Sequence, residues 1–239
     1  MKKKSLVWII LFIIIYIGMT IILNIKVTTR QGVNFQVSAI KIPLYLKIID
    51  FLDRHYNYVC LVSKIVTKND TPEVKVKKIL SWTHINIYDQ PQSLPIIDDH
   101  VWHIIVRGYG ISDQHADVFT TLCTYAGEDA FFVFWENIKT RERVPFALVK
   151  INSRWRVFDP YQGAYFVNAS GEFADLNNIM HGPWQVEYLD KVPQVAYDYT
   201  ACFASVANTF RVTGHRAQIQ SPLKRLLFEV KKWVKKNKK

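Results

Sequence analysis

Residues 6–25 read LVWIILFIIIYIGMTIILNI, without a charge. As a helix at about 1.5 Å per residue, the run spans roughly 30 Å, the hydrocarbon thickness of a bilayer. Fourteen of its residues are Ile, Leu, Val or Phe. Each favours insertion by about 0.3–0.6 kcal/mol, so together they outweigh Gly18, Thr20 and Asn24. A cleaved signal peptide would have a shorter apolar core and small residues at its exit. Here the exit is Ile22-Leu23-Asn24-Ile25-Lys26, with no small-x-small step. The expectation is an uncleaved transmembrane anchor over residues 1–26. Lys2, Lys3 and Lys4 precede the run and only Lys26 and Arg30 closely follow it. The positive-inside bias then puts the N-terminus in the cytoplasm and the remaining chain outside it.

About 210 residues remain beyond the anchor, enough for one ordinary domain with extra segments. Aromatics at 14% and charges at 21% exclude a disordered composition. The net charge of +11 is concentrated at the two ends. The stretch 222–239 holds Lys224, Arg225, Lys231, Lys232, Lys235, Lys236, Lys238 and Lys239 against Glu229 alone. The middle is nearly neutral, so a nucleic-acid surface would have to be that tail, and nothing else supports one. Cys60, Cys123 and Cys202 have neither disulfide-framework nor zinc spacing. One bridge is open to them in an oxidising compartment; the alternative is three small buried hydrophobes.

Residues 27–42 read as an extended lead-out. Apolar spacing from Pro43 to about Val66 suits one or two helices, which gives a helical lead-in over 27–71. Thr71-Pro72-Glu73 is a helix start, with Thr as N-cap and Pro at the first helical position. That helix ends near Ile87. His100–Gly110 reads as a short apolar strand closed by two glycines. Ser112–Ala126 is a helix, with Ala116, Phe119, Leu122, Cys123 and Ala126 on one face and Gly127 to stop it. Strands follow at Ala130–Trp135, Pro145–Ile151 and Trp155–Phe158, the last two joined by a hairpin turn at Asn152-Ser153-Arg154. Tyr165–Asn168 suggests another strand and Asp175–Met180 a short helix. Residues 195–215 resist assignment. A helix followed by consecutive short strands predicts an α+β fold over 72–215, the helix packed on an antiparallel sheet.

These pieces occur in a telling order. Arg-Gly-Tyr-Gly-x-x-Asp-Gln-x-Ala-x-x-Phe at Arg107–Phe119 is followed by a strand. Then come strand, turn and Trp-x-Val-Phe-Asp-Pro, ending at Pro160, and Tyr161-x-Gly163. Over roughly residues 72–185 the chain resembles the transglutaminase-like superfamily of papain-like thiol enzymes. The resemblance implies a cysteine nucleophile at the helix N-terminus, where the helix dipole favours the thiolate. It also implies a His on the following strand as base and an Asp on the next strand to orient it. Carried over position by position, the Cys site is Ser112, the Asp site is Asp159 and the His site is Val144.

Valine cannot accept a proton, and a serine hydroxyl needs a partner base. Ser112 has a second reading as the N-cap of its helix, and Asp159, before Pro160, as the residue that sets a turn. A relocated base could come from His100 or His103 if that segment lies beside Ser112. Asp98, Asp99, His100 and His103 do not suit a metal, since alternate residues of a strand face opposite ways. Cys123, on the third turn among Phe119, Leu122 and Ala126, would keep its proton. No cofactor is called for.

Leu223, Leu226, Leu227, Val230, Trp233 and Val234 form one helical stripe in the tail, residues 216–239, with lysines on the other face. Such a helix can lie on an anionic membrane or pack on the domain. The expectation is a membrane-anchored, extracytoplasmic transglutaminase-like domain that has lost its Cys–His pair. It would serve the cell envelope as a binding or structural module for peptide or glycan. Its rival is an acyl transferase or peptide hydrolase that uses Ser112 with a relocated histidine.

Overall fold

The structure is a computed structural model and describes residues 2–33, 36–97, 100–190, 197–206, 217, 220 and 222–236. Asp98 and Asp99, most of the unassigned 195–215 stretch and the last three residues fall outside them. Packing divides the chain into two units, Met1–Tyr56 with Ile97–Asp99, and Asn57–Ile96 with His100–Lys239.

In the first unit the apolar run is helical, α1 (Lys2–Asn24), and its segment Leu6–Asn24 is long and apolar enough to cross a bilayer. Its large side chains, Trp8, Phe12 and Tyr16 among them, are exposed. The extended lead-out doubles back on itself. β1 (Lys26–Val33) and β2 (Gln36–Pro43) pair antiparallel from Lys26↔Pro43 to Val33↔Gln36, as their β-branched residues favour. α2 (Leu44–Ile65) begins directly after β2, with its Leu44 N–H on the Ile25 carbonyl at 2.9 Å.

In the second unit the end of α2 contributes Tyr58, stacked on Tyr125 with ring centroids 4.8 Å apart. α3 (Pro72–Asn86) starts as its sequence predicts, with the Thr71 hydroxyl accepting from the Val74 N–H. The expected strand at His100–Gly110 is instead a helix, α4 (Val101–Arg107). Seven apolar-rich residues cannot separate helix from strand by periodicity. The deciding residue is Gly108, whose φ of 73° closes the helix in the left-handed region. The remaining strand character is a two-residue parallel pair, β3 (Tyr88–Asp89) with β4 (Tyr109–Gly110).

α5 (Ser112–Tyr125) leads into the sheet. β5 (Asp129–Glu136), β6 (Arg143–Ile151), β7 (Arg154–Asp159), β8 (Ala164–Asn168) and β9 (Trp184–Tyr188) form one antiparallel sheet in chain order. This is the α+β arrangement the sequence predicts. The β6–β7 turn holds Asn152 and Ser153 at φ 49° and 65°, the pair of positive angles a two-residue hairpin of this hand requires. β9 was not foreseen, although Trp-Gln-Val-Glu-Tyr alternates. Short helices α6 (Leu176–His181) and α7 (Tyr199–Ala204) follow β8 and β9, and α8 (Pro222–Lys236) ends the described chain.

The sheet is covered on both faces. On one, Val118, Phe119, Leu122 and Cys123 of α5 and Val76, Ile79 and Leu80 of α3 meet Ala147, Val149 and Phe158. On the other, Phe146, Leu148, Val157 and Phe166 meet Tyr199, Cys202 and Phe203 of α7. Alternation along each strand assigns every residue to one face or the other.

Candidate functional site

Ser112 stands at the start of α5, as expected, but it is the first helical residue and not the cap; the cap is Ile111. The end is closed by Gln114, whose Oε1 accepts from the Ile111 N–H at 3.2 Å and from Arg107 Nη2 at 3.0 Å. The Ser112 hydroxyl, half-buried, has no hydrogen-bond partner among the described residues, and no histidine nitrogen there reaches it. His100 caps α4 and His103 lies on it, ring against ring at 5.8 Å.

His115, one turn further along α5, is 2% exposed. Its ring meets the Tyr161 ring edge-on at 5.1 Å. Burial, only partly offset by the Tyr88 and Gly110 carbonyls and the Asp89 charge, holds its pKa down to about 4. Neither ring nitrogen has a hydrogen-bond partner among the described residues. His115 is therefore a neutral, buried imidazole packed on an aromatic ring.

Asp159 ends β7 and is 1% exposed. Oδ1 accepts from the backbone N–H groups of Tyr161 and Gln162, both at 3.1 Å. Oδ2 accepts from the Tyr199 hydroxyl at 3.0 Å. Burial pushes its pKa up to about 6 against these three donors. The Asp159 charge in turn adds to burial in pushing the Tyr197 and Tyr199 hydroxyls up. The carboxylate thus holds the turn that follows it and ties β7 to α7. Tyr199 lies in the stretch that resisted assignment, so no sequence signal pointed to this pairing.

Val144 pairs with Trp135 on β5, and both belong to the core on the face away from α5. The α5-facing positions of β6 are the alternate ones, Ala147, Val149 and Ile151, and by the same alternation Pro145. The position matching the family's histidine therefore looks away from the helix that carries Ser112. No hydrogen bond among the described residues links Ser112, Val144 and Asp159.

The three cysteines are free: Cys123 and Cys202 are buried and Cys60 is half-buried. Burial pushes the Cys123 thiol well up and that of Cys202 to about 11, so both are protonated at neutral pH. Among the described residues no three His, Cys, Asp or Glu side chains are grouped to hold an ion.

A cleft of about 420 Å³ opens elsewhere, between α3 and the turn ends of β6, β7 and β8. Arg156 lines it together with Lys77, Tyr165 and Glu73. The sequence offered no motif for it, because its residues come from five separate elements, α3 and β6 to β9.

No protein-family model matches this sequence, and no curated protein matches it. Among solved structures it is similar to a candidate cysteine protease from Cytophaga hutchinsonii, at 18% identity and a TM-score of 0.40, covering 65% of this chain and 61% of that one. It is also similar to a candidate protease from Parabacteroides distasonis, at 10% identity and a TM-score of 0.37, covering 66% of this chain and 38% of that one. A third is a TGase, at 14% identity and a TM-score of 0.32, covering 56% of this chain and 43% of that one. The chain spans less than two thirds of the length of each. At these identities and scores the three carry no argument about family or activity, and the functional reading stands on the geometry of this chain alone.

Proposed function

We propose that this chain is a membrane-anchored binding module of the cell envelope, built on a transglutaminase-like frame and catalytically inactive. α1 spans the membrane with its N-terminus in the cytoplasm, and the domain lies on the outer side, where envelope peptide or glycan is the ligand class. The observation that carries the reading is the isolation of Ser112. A serine nucleophile must pass its proton to a base within about 3 Å. Yet the Ser112 hydroxyl has no partner among the described residues. The Asp159 carboxylate is engaged by Tyr199 and two backbone N–H groups.

The tail is a second lipid contact in this reading. Leu226, Leu227 and Val230 of α8 are each about half exposed, and the basic residues that flank them, Lys224, Arg225 and Lys231, suit an anionic surface. Lys224 joins Asp129 at 2.6 Å, and Gln220 joins Asp117 at 2.6 Å. These bonds hold the start of the tail to the domain, while Leu226, Leu227 and Val230 beyond stay about half exposed.

The test is restoration of a thiol pair. The parent, Ser112→Cys with Val144→His, and Ser112→Cys with Pro145→His are assayed side by side for thiol-dependent acyl transfer and peptide hydrolysis. The parent is expected to be inactive, and the Pro145→His pair to be the better of the two restored forms. Turnover by the parent that Ser112→Ala removes would contradict the reading.

A further inference from the structure

Arg156 is 7% exposed, and a guanidinium keeps its charge at any physiological pH. A charge so deeply placed calls for a counter-charge. None of the described carboxylates supplies one: Nη1 donates to the Phe173 carbonyl, and Nε has no partner among the described residues. Asp175 bridges to Arg156 through the backbone, but its carboxylate accepts from the Asn178 N–H and pairs with Arg154. Arg156 lines the 420 Å³ cleft. Lys77 reaches the same cleft from α3, its Nζ donating to the Tyr165 hydroxyl at 2.9 Å and lying 4.7 Å from the ring centroid.

Two cations therefore face a cleft of a size that suits a small molecule. Its other charged residues are Glu73, Glu172 and Glu187. Glu73 Oε1 already accepts from Asn152 Nδ2 at 2.6 Å, while Glu172 and Glu187 are exposed. Three carboxylates disfavour a multiply charged anion such as phosphate. They favour a ligand that brings one carboxylate for the guanidinium and a cation for the rim.

We propose that this cleft binds the free carboxylate of a small zwitterionic ligand, an amino acid or a peptide C-terminus that also bears a cationic group. Arg156 receives the carboxylate through its fork of donors, Lys77 adds a point charge, and Glu172 and Glu187 meet the cation. The site goes beyond the binding-module reading, since none of its residues is Ser112, His115 or Asp159, and it holds whether or not Ser112 reacts.

The test is calorimetric titration of the full chain in detergent with alanyl-lysine, its C-terminal amide, free L-lysine and inorganic phosphate. Alanyl-lysine is expected to bind, with the amide about tenfold weaker or worse, because a charge-assisted fork is lost. Arg156→Met is expected to weaken binding by about tenfold or more, and Lys77→Met by about three- to tenfold. Lys77 is exposed, so its variant keeps the parent's melting temperature and decides the matter if Arg156→Met fails to fold. A preference between L-lysine and the dipeptide identifies the source of the carboxylate. Equal binding of acid and amide, phosphate binding more tightly than both L-lysine and the dipeptide, or no binding of either by the folded parent would each overturn the proposal.

Discussion

The Asp159 carboxylate and the Tyr199 hydroxyl are joined at 3.0 Å, both buried. Asp159 also holds the turn through Tyr161 and Gln162, and Tyr161 packs edge-on against His115. Two buried ionisable groups, Asp159 and His115, are thus joined through one turn, and their shifts oppose each other in pH.

Asp159 rises from an ordinary 3.8 to about 6 in the fold, so the native state holds its proton more tightly. Its contribution to stability is fully present below about 4 and is lost as pH rises to about 6. His115 falls from 6.5 to about 4, so its contribution is fully present above 6.5 and is lost as pH falls to about 4. Each shift is worth about 3 kcal/mol, and over this window the two nearly cancel. Asp159→Asn keeps acceptors for the turn and removes one side of the balance. Its urea midpoint is expected to fall on acidification from pH 6.5 to 4.5. The midpoint of His115→Gln is expected to rise over the same range. Parallel pH profiles for both variants and the parent would contradict this.

Gly163 sits at φ 61°, and a Cβ placed there would meet the His84 ring at 2.9 Å. Gly163→Ala combines a left-handed alanine with a clash against a ring that is paired with Asp190. A loss of about 2–3 kcal/mol is expected, read as a drop in denaturation midpoint.

Ser153 has φ 65° in the β6–β7 turn, where glycine is at no disadvantage. Ser153→Gly leaves the Asn152–Glu73 hydrogen bond in place and is expected to gain about 0.5–1 kcal/mol. Thermal unfolding of the two forms measures it.

The tail is tested in nanodiscs that hold the full chain. With anionic lipid, trypsin cleavage after Lys231 is expected to slow several-fold relative to neutral lipid, and high salt is expected to restore it. Leu226→Glu with Val230→Glu is expected to abolish the protection without moving the melting temperature, since both side chains are about half exposed. Equal cleavage in both lipids would count against a lipid contact.

What could be read from residues alone was local and periodic. The α1 run, the Thr71-Pro72 start, the apolar face of α5 and the β6–β7 hairpin each declare themselves within a few positions. Four features did not. His100–Gly110 has too few residues for its period to speak, and Gly108 decided it. The Asp159–Tyr199 bond joins residues forty apart along the chain. Val144 could be counted to a family position but not to a face of the sheet, because a shift of one residue on a strand reverses the direction. The Arg156 cleft needs α3 and four strands folded together before it exists.

The central claim is that Ser112 is not a nucleophile, and a fluorophosphonate probe tests it most directly. The parent is incubated with the probe at pH 7–8, digested and analysed by mass spectrometry at the α5 N-terminal peptide. An unmodified Ser112 peptide is predicted, the same as in a heat-denatured control. A stoichiometric adduct on Ser112 that requires the folded protein would contradict the account.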